Sequence, residues 1–158
     1  MFREITRFRQ ALSAEECREI LIQTKRGVLS VNGDDGYPYC MPINHYYRSE
    51  DGKIYFHGGK HGHKIDALKK DDRVCFCVYS DPIAVEGEWY SDFKSVIVFG
   101  RAEPVEDEEK MLQISRELSY KFTQDEDYIR NEIEKSGPGT LAYEIIIEHM
   151  TGKLVHER

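Results

Sequence analysis

The sequence predicts a mainly β protein with flanking α-helices, its antiparallel strands curled into a closed or partly closed barrel. Two observations predict it. Short runs rich in Val, Ile, Tyr, Phe and Cys recur along the chain, namely GVLSVNG, YCMPINHYY, KIYFHG, RVCFCVYSD, KSVIVFGRAEPV and LAYEIIIEHM, and each has the length and composition of a strand. The first three are joined by NGDDG and SEDG, turn chemistries too short for the crossover that parallel pairing requires. A barrel also removes the exposed edges that short strands would leave. A length of 158 residues suits one domain spanning 1–158, large enough to bury a real core.

The elements follow in order. In SAEECREILIQTKR, Ser13 and Glu16 have capping-box spacing, so a helix starts there. Cys17, Ile20, Leu21 and Thr24 form its inward stripe, and Gly27 is expected to end it. The pattern then changes to a period of two. Pro42 lies within the second strand and has no amide to give a ladder, so it marks an edge, a bulge or the approach of another group. HKIDALKKD reads as a short helix with Ile65 and Leu68 inward. Val96, Val98 and Gly100 share one face of the next long strand, and Ile97 and Phe99 the other. DEEKMLQISRELSYKF is an amphipathic helix with Met111, Ile114, Leu118 and Phe122 on its stripe. A weaker helix through EDYIRNEIEK is broken by Gly137-Pro138-Gly139, before the final strand. There is no internal repeat and no linker.

Composition narrows the function classes. The formal net charge is −7, with acid concentrated in GRAEPVEDEEK and TQDEDYIRNEIEK, which argues against a nucleic-acid footprint. No apolar run approaches the ~20 residues of a membrane span. MFREITRFRQ has no apolar signal core, so a cytoplasmic protein is expected. Cys17, Cys40, Cys75 and Cys77 form no CxxC pair. Cys75 and Cys77 would stand on one strand face at roughly 6.7 Å between Cα atoms, and small buried thiols in a reducing compartment are the expectation.

The stretch FHGGKHGHK, residues 56–64, holds three glycines, three histidines and two lysines. It reads as a metal site, a polar turn or an anion cradle. Structural zinc prefers ligands in spaced pairs, and no second pair accompanies His57, His61 and His63. A solvated turn would not need Gly58, Gly59 and Gly62 together, because glycine is costly in backbone entropy. The cradle fits more of the features. Glycines let amides approach an anion, a helix begins near His63 or Lys64, and its N-terminus favours negative charge. Lys64 there is unfavourable unless an anion joins it. The motif GxxxxGK[ST] is absent, so a small phosphate-bearing ligand suits better than a nucleoside triphosphate.

RGVLSVNGDDGYPYCMPINHYY, GKIYFHGGKHGHKIDALKKDDRVCFCV, SVIVFGRAEPVEDEEKMLQISREL and IIIEHMTGK, in that order and spacing, resemble the FMN-binding split-barrel proteins related to pyridoxamine 5′-phosphate oxidase, and among them the 5-nitroimidazole resistance (Nim-type) branch. The resemblance covers about residues 12–153. It implies a six-stranded antiparallel split β-barrel of Greek-key type, dimeric, with FMN at the subunit interface; FAD is the less favoured alternative, since the turn itself reads only a phosphate. By that resemblance Met41, Pro42, Ile43 and Asn44 lie along the flavin, with Asn44 and His45 pointing opposite ways. His57, Gly58, Gly59, His63 and Lys64 form the phosphate turn, with Lys64 as its lysine. Ser95 on SVIVFG and Trp89 in EWYSDF reach the cofactor, Trp89 as a candidate wall from the partner subunit.

The implied function is an FMN-dependent oxidoreductase acting on a small electrophile such as a nitroimidazole or nitroaromatic, with His57 as candidate catalytic residue. No nicotinamide fingerprint is present, so NAD(P)H would donate transiently over the flavin. No metal, nucleic acid or membrane is implied. The oxidases' arginine- and histidine-rich C-terminal segment has no counterpart in TGKLVHER, which disfavours pyridoxamine-phosphate oxidation. The alternative is a flavin- or haem-binding carrier or sensor without turnover.

Overall fold

A computed structural model describes residues 1–158. Ser13 caps the first helix, α1 (Ala14–Gln23), through the reciprocal bonds of a capping box, and Cys17, Ile20 and Leu21 are its buried stripe. Strands β1 (Arg26–Asn32), β2 (Pro38–Asn44), β3 (Tyr46–Arg48) and β4 (Lys53–Gly59) follow. Helix α2 (His63–Lys70) leads to β5 (Arg73–Tyr79), the short β6 (Ile83–Ala84) and the long β7 (Ser91–Pro104). Helices α3 (Glu108–Ser119) and α4 (Glu126–Ser136) precede β8 (Thr140–His156).

All eight strands form one sheet in the order β2-β1-β5-β7-β8-β4-β3, with β6 on β7, and every pairing is antiparallel. Strands β2 and β3 stand at opposite ends of that order, yet only His45 separates them in the chain. The sheet therefore curls until its two edges nearly meet, giving a barrel split along one seam. Six strands are long; β3 and β6, of three and two residues, make up the difference from the expected six. One predicted run, YCMPINHYY, is divided into β2 and β3 because the chain turns across the seam at His45.

Alternation decides the core. Leu29, Val31, Ile43, Phe56, Val74, Phe76, Val78, Val96 and Val98 fill the barrel interior. A second cluster, Tyr55, Val105, Ile114 and Ala142, joins α3 to the outside of β4 and β8. Glu144 accepts from Lys53 at 2.7 Å and Lys110 at 3.1 Å beside it.

Three expectations change. Gly27 does not end α1, which stops at Gln23. It lies inside β1, where a Cβ would sit 2.3 Å from Phe76, so its smallness serves packing. Phe122 falls beyond α3 and is 40% exposed, because the helix ends at Ser119. The last strand runs on to His156, paired along β7 through Asp92. Cys75 and Cys77 do share the outer face of β5, and all four cysteines are free. No helix is long and apolar enough to cross a membrane.

Gly100 sits at a β-bulge between β7 and β8, where an added Cβ would lie 2.2 Å from the Ile146 carbonyl oxygen. Backbone cannot yield as a flexible side chain can. Gly100→Ala is expected to lower stability by about 1–3 kcal/mol in urea unfolding, as overpacking does; an unchanged midpoint would show that the bulge relaxes freely.

Candidate functional site

Strand β4 carries His57, Gly58 and Gly59 to the end of the sheet, and residues 60–62 turn into α2. Gly62, the residue before the helix, has φ +120°, a conformation side chains rarely adopt. It offers no side-chain cap. The first α2 bond runs from the Asp66 N–H to the Gly62 carbonyl at 3.0 Å, which leaves the amides of residues 63–65 without helical acceptors at the positive end of the helix.

Lys64 lies half-buried in that first turn. Its side chain lines a cavity of 260 Å³ together with Pro42, Ile43, Asn44, His57 and Leu118. It forms no ion pair with any carboxylate; its Nζ stands 5.2 Å from the centroid of the Phe56 ring. Burial holds its pKa below the usual lysine value. A partly desolvated ammonium without a counter-charge is costly, and an anion would relieve it and satisfy the free amides together. These residues therefore fit a phosphate-bearing group.

The seam supplies the opposite wall. Asn44 is exposed to the cavity, whereas His45 is fully buried, so alternation selects Asn44. The His45 Nε2–H donates to the Leu21 carbonyl at 2.9 Å, and its Nδ1 has no partner. Desolvation, then the neighbouring Lys121 ammonium, pushes the His45 pKa down to about 4. Lys121 donates to the carbonyls of Thr24 and His45, both at 2.7 Å, and burial lowers its pKa to about 8.

A larger cavity of 520 Å³ opens between β4, α3 and α4. Asn44, His57 and Leu118 line both cavities. The His57 Nε2 is 3.1 Å from the Ser115 hydroxyl, and burial lowers the His57 pKa, keeping the ring neutral at pH 7. Gly58 and Gly59 line the larger cavity; a Cβ on Gly58 would press on Tyr143 at 3.2 Å.

Not every expected residue converges. Met41 turns toward the barrel core. The His63 backbone opens α2, but its ring stacks on Tyr39 at 4.1 Å and stands 3.6 Å from Asp34. Trp89 is 86% exposed and edge-on to Tyr90, while Ser95 pairs with Tyr79 and Lys153 within the sheet; neither lines the 260 Å³ cavity or the 520 Å³ cavity. No three His, Cys, Asp or Glu side chains are placed to hold a metal ion. The α3 contributors Ser115 and Leu118, with Lys121 just beyond that helix, escaped the sequence reading. Helical spacing of Ser115 and Leu118 was the available signal, masked by the apolar stripe.

A family profile described as pyridoxamine 5′-phosphate oxidase matches residues 13–154. No curated protein matches the chain by sequence. Among solved structures, a candidate 5-nitroimidazole antibiotic resistance protein from Bacteroides thetaiotaomicron is 21% identical, with 92% of this chain and 87% of that one covered at a TM-score of 0.77. The flavocytochrome Anf3 of Azotobacter vinelandii is 23% identical over 96% of this chain and 72% of its own, at 0.78. An FAD-binding protein from Mesorhizobium loti is 24% identical over 92% and 97%, at 0.64. At these identities the likeness is one of fold.

The buried seam predicts a pH dependence. The His45 pKa falls from 6.5 to about 4 on folding, so the unfolded chain binds the extra proton between these values. Stability then decreases as pH falls through that window, by on the order of 3 kcal/mol if His45 stays buried throughout. Lys121 has the same sign at higher pH, its stability contribution rising from about pH 8 toward 10.5. Urea unfolding from pH 7 to 4.5 should show the decline, and His45→Gln should flatten it; an equally steep slope in the variant would assign it to other groups.

Proposed function

The chain belongs to the pyridoxamine 5′-phosphate oxidase family, and on that premise we propose that it is an FMN-dependent oxidoreductase of small electrophilic substrates, nitroimidazoles or other nitroaromatics among them. The observation that carries this reading is the half-buried, unpaired Lys64 at the uncapped start of α2. A terminal phosphate monoester brings up to two negative charges and three acceptor oxygens, which suits one ammonium and three free amides. That match favours FMN over FAD, whose phosphates are internal diesters. The likeness to proteins described as FAD-binding and to a candidate nitroimidazole resistance protein supports flavin chemistry and the substrate class.

When bound, FMN supplies the electron transfer. The chain's own residues hold, orient and shield. The amides of residues 63–65 and the Lys64 ammonium hold the phosphate. Strand β2 lies at the sheet edge, so its outward backbone groups are free to meet the flavin rim, and Pro42 sets the strand geometry there. The Asn44 side chain adds a donor and an acceptor. Neutral His57, backed by the Ser115 hydroxyl, is placed to hydrogen-bond the reacting group of a substrate and exchange a proton with it. NAD(P)H has no fingerprint of its own in the chain and would donate transiently.

A homodimer completes the site. The outward face of β1, β5 and β7 presents Val28, Ile97 and Phe99, 37–40% exposed, around half-buried Cys75 and Cys77. Pro42 and Val28 are register partners, so this apolar face adjoins the cofactor strand. Docking two such faces would bury them and bring Trp89 and Ser95 to the partner's cavity. The competing reading, a flavin or haem carrier without turnover, is favoured by the likeness to a flavocytochrome.

Purified protein should release FMN, identified by absorbance and mass, and NAD(P)H should bleach the bound flavin; tightly held flavin that no donor reduces would support the carrier. Lys64→Ala should weaken FMN binding about 10- to 100-fold, the worth of a charge-assisted contact, and reduce its salt dependence. Unchanged affinity would remove Lys64 from the phosphate site. Light scattering should give a dimer that Ile97→Asp converts to monomer; a wild-type monomer with stoichiometric FMN would defeat the shared site.

A further inference from the structure

The 520 Å³ cavity and the 260 Å³ cavity meet at Asn44, His57 and Leu118 but differ in charge. The smaller holds Lys64. In the larger, no lysine or arginine appears among the lining residues, and Glu132 is the one carboxylate. Its apolar wall comes from Met111, Leu118, Ile129 and Ile133. Hydroxyls are present, but several are engaged: Ser119 donates to the Ser115 carbonyl at 2.7 Å and Thr140 to the Ser136 carbonyl at 2.9 Å.

We propose that this larger cavity is the substrate pocket, and that it selects neutral or cationic, substantially apolar organic molecules while rejecting anions. The assignment rests on the flavin reading above for its role in turnover, though not for the binding itself. An anion entering here would be desolvated against apolar walls with no cation to meet it, and the unpaired charge would be costly. An uncharged ring loses nothing comparable and gains apolar burial. A volume of 520 Å³ lies within the usual range for small-molecule sites. Glu132 favours a cationic substituent, though its exposure limits the gain to the modest value of a solvated pair.

The division of charge gives each compartment its ligand. The phosphate belongs beside Lys64, and a substrate carrying its own phosphate would find no partner in the larger cavity. His57 stands at the junction with a neutral ring, able to serve a substrate without attracting an anion. The outer wall is lightly held: α4 buries only Ile129, and Arg116 and Tyr120 fasten it at the surface through Glu126. Specificity can then be read in the α4 residues that face inward, Glu132 first.

Equilibrium dialysis of the FMN-loaded protein against 4-nitrobenzyl alcohol, 4-nitrobenzylamine and 4-nitrobenzoate tests the assignment. The alcohol and the amine should bind in competition, and the benzoate at least about tenfold more weakly. Glu132→Gln should reduce the amine's affinity by about three- to fivefold and leave the alcohol unchanged, while Glu132→Lys should improve benzoate. Ser119→Trp should exclude all three probes but retain FMN, with Ser119→Ala binding normally as the folding control. Benzoate binding as tightly as the alcohol, with no response at Glu132, would overturn the proposal. So would loss of FMN in Ser119→Trp with Ser119→Ala intact, since the cavity would then hold the flavin. Repeating the dialysis on protein without flavin separates the two readings: refusal of FMN with probe selectivity intact defeats the flavin assignment alone.

Discussion

The two ends of the sheet are joined through a single residue, His45, and the rest of the molecule is arranged around that constraint. Asn44 closes β2 and Tyr46 opens β3, so their Cα atoms lie at most about 7 Å apart. Neighbouring strands are themselves spaced roughly 5 Å apart. The barrel must therefore close at this point even though no ladder joins β2 to its opposite edge. A residue in such a seam leaves both ladders, and its backbone groups need other partners inside the protein. The His45 N–H donates to the Lys25 carbonyl at 3.4 Å, and Lys121 donates to its carbonyl. Because Lys121 also reaches the Thr24 carbonyl, one ammonium fastens the end of α1, the seam and the segment after α3.

The candidate site is the unclosed part of the same seam. Above His45 the strands are pinned together; below it β2 keeps a free edge facing β4. Pro42 and Asn44 look into that gap from one side and His57 from the other. Helix α2 then starts beside the gap from a turn that ends at Gly62, whose φ of +120° ordinary side chains rarely adopt, and Lys64 in its first turn lines the gap. The net charge of −7 is no obstacle to an anion here. What acts at short range is a half-buried ammonium with no carboxylate beside it, and distant surface acids are screened by water and salt.

Much of this was legible in the sequence. The period-two runs, the capping box at Ser13 and the glycine turn into α2 are local signals, and local chemistry enforces them. The inward and outward faces of the long β7 strand followed from alternation alone. What escaped were features set by closure. Nothing in YCMPINHYY marks the residue at which one strand becomes two, since the break at His45 depends on the opposite edge arriving there. Gly27 read as a helix stop because sequence carries no sign of the Phe76 ring packed against it. His63 looked like a phosphate ligand by position, but Tyr39 and Asp34, brought up by β2 and the turn before it, claim its ring. Ser115 and Lys121 contribute only because α3 is laid across β4, a tertiary choice that an apolar stripe does not specify.

The boundary between the two cavities has an electrostatic requirement of its own. His57 and Lys64 line the same 260 Å³ space, so a charged imidazole would face a lysine already lacking a counter-ion. Burial resolves the conflict by disfavouring the cation at both residues, lowering the pKa of each. For lysine an anion alongside would offset that cost and favour the ammonium; for histidine burial favours the neutral, hydrogen-bonding ring. The same desolvation thus gives Lys64 a need for a counter-charge and favours a neutral ring at His57. A ligand spanning the junction would meet positive charge at one end, an uncharged donor and acceptor in the middle, and apolar walls with a single acid at the other.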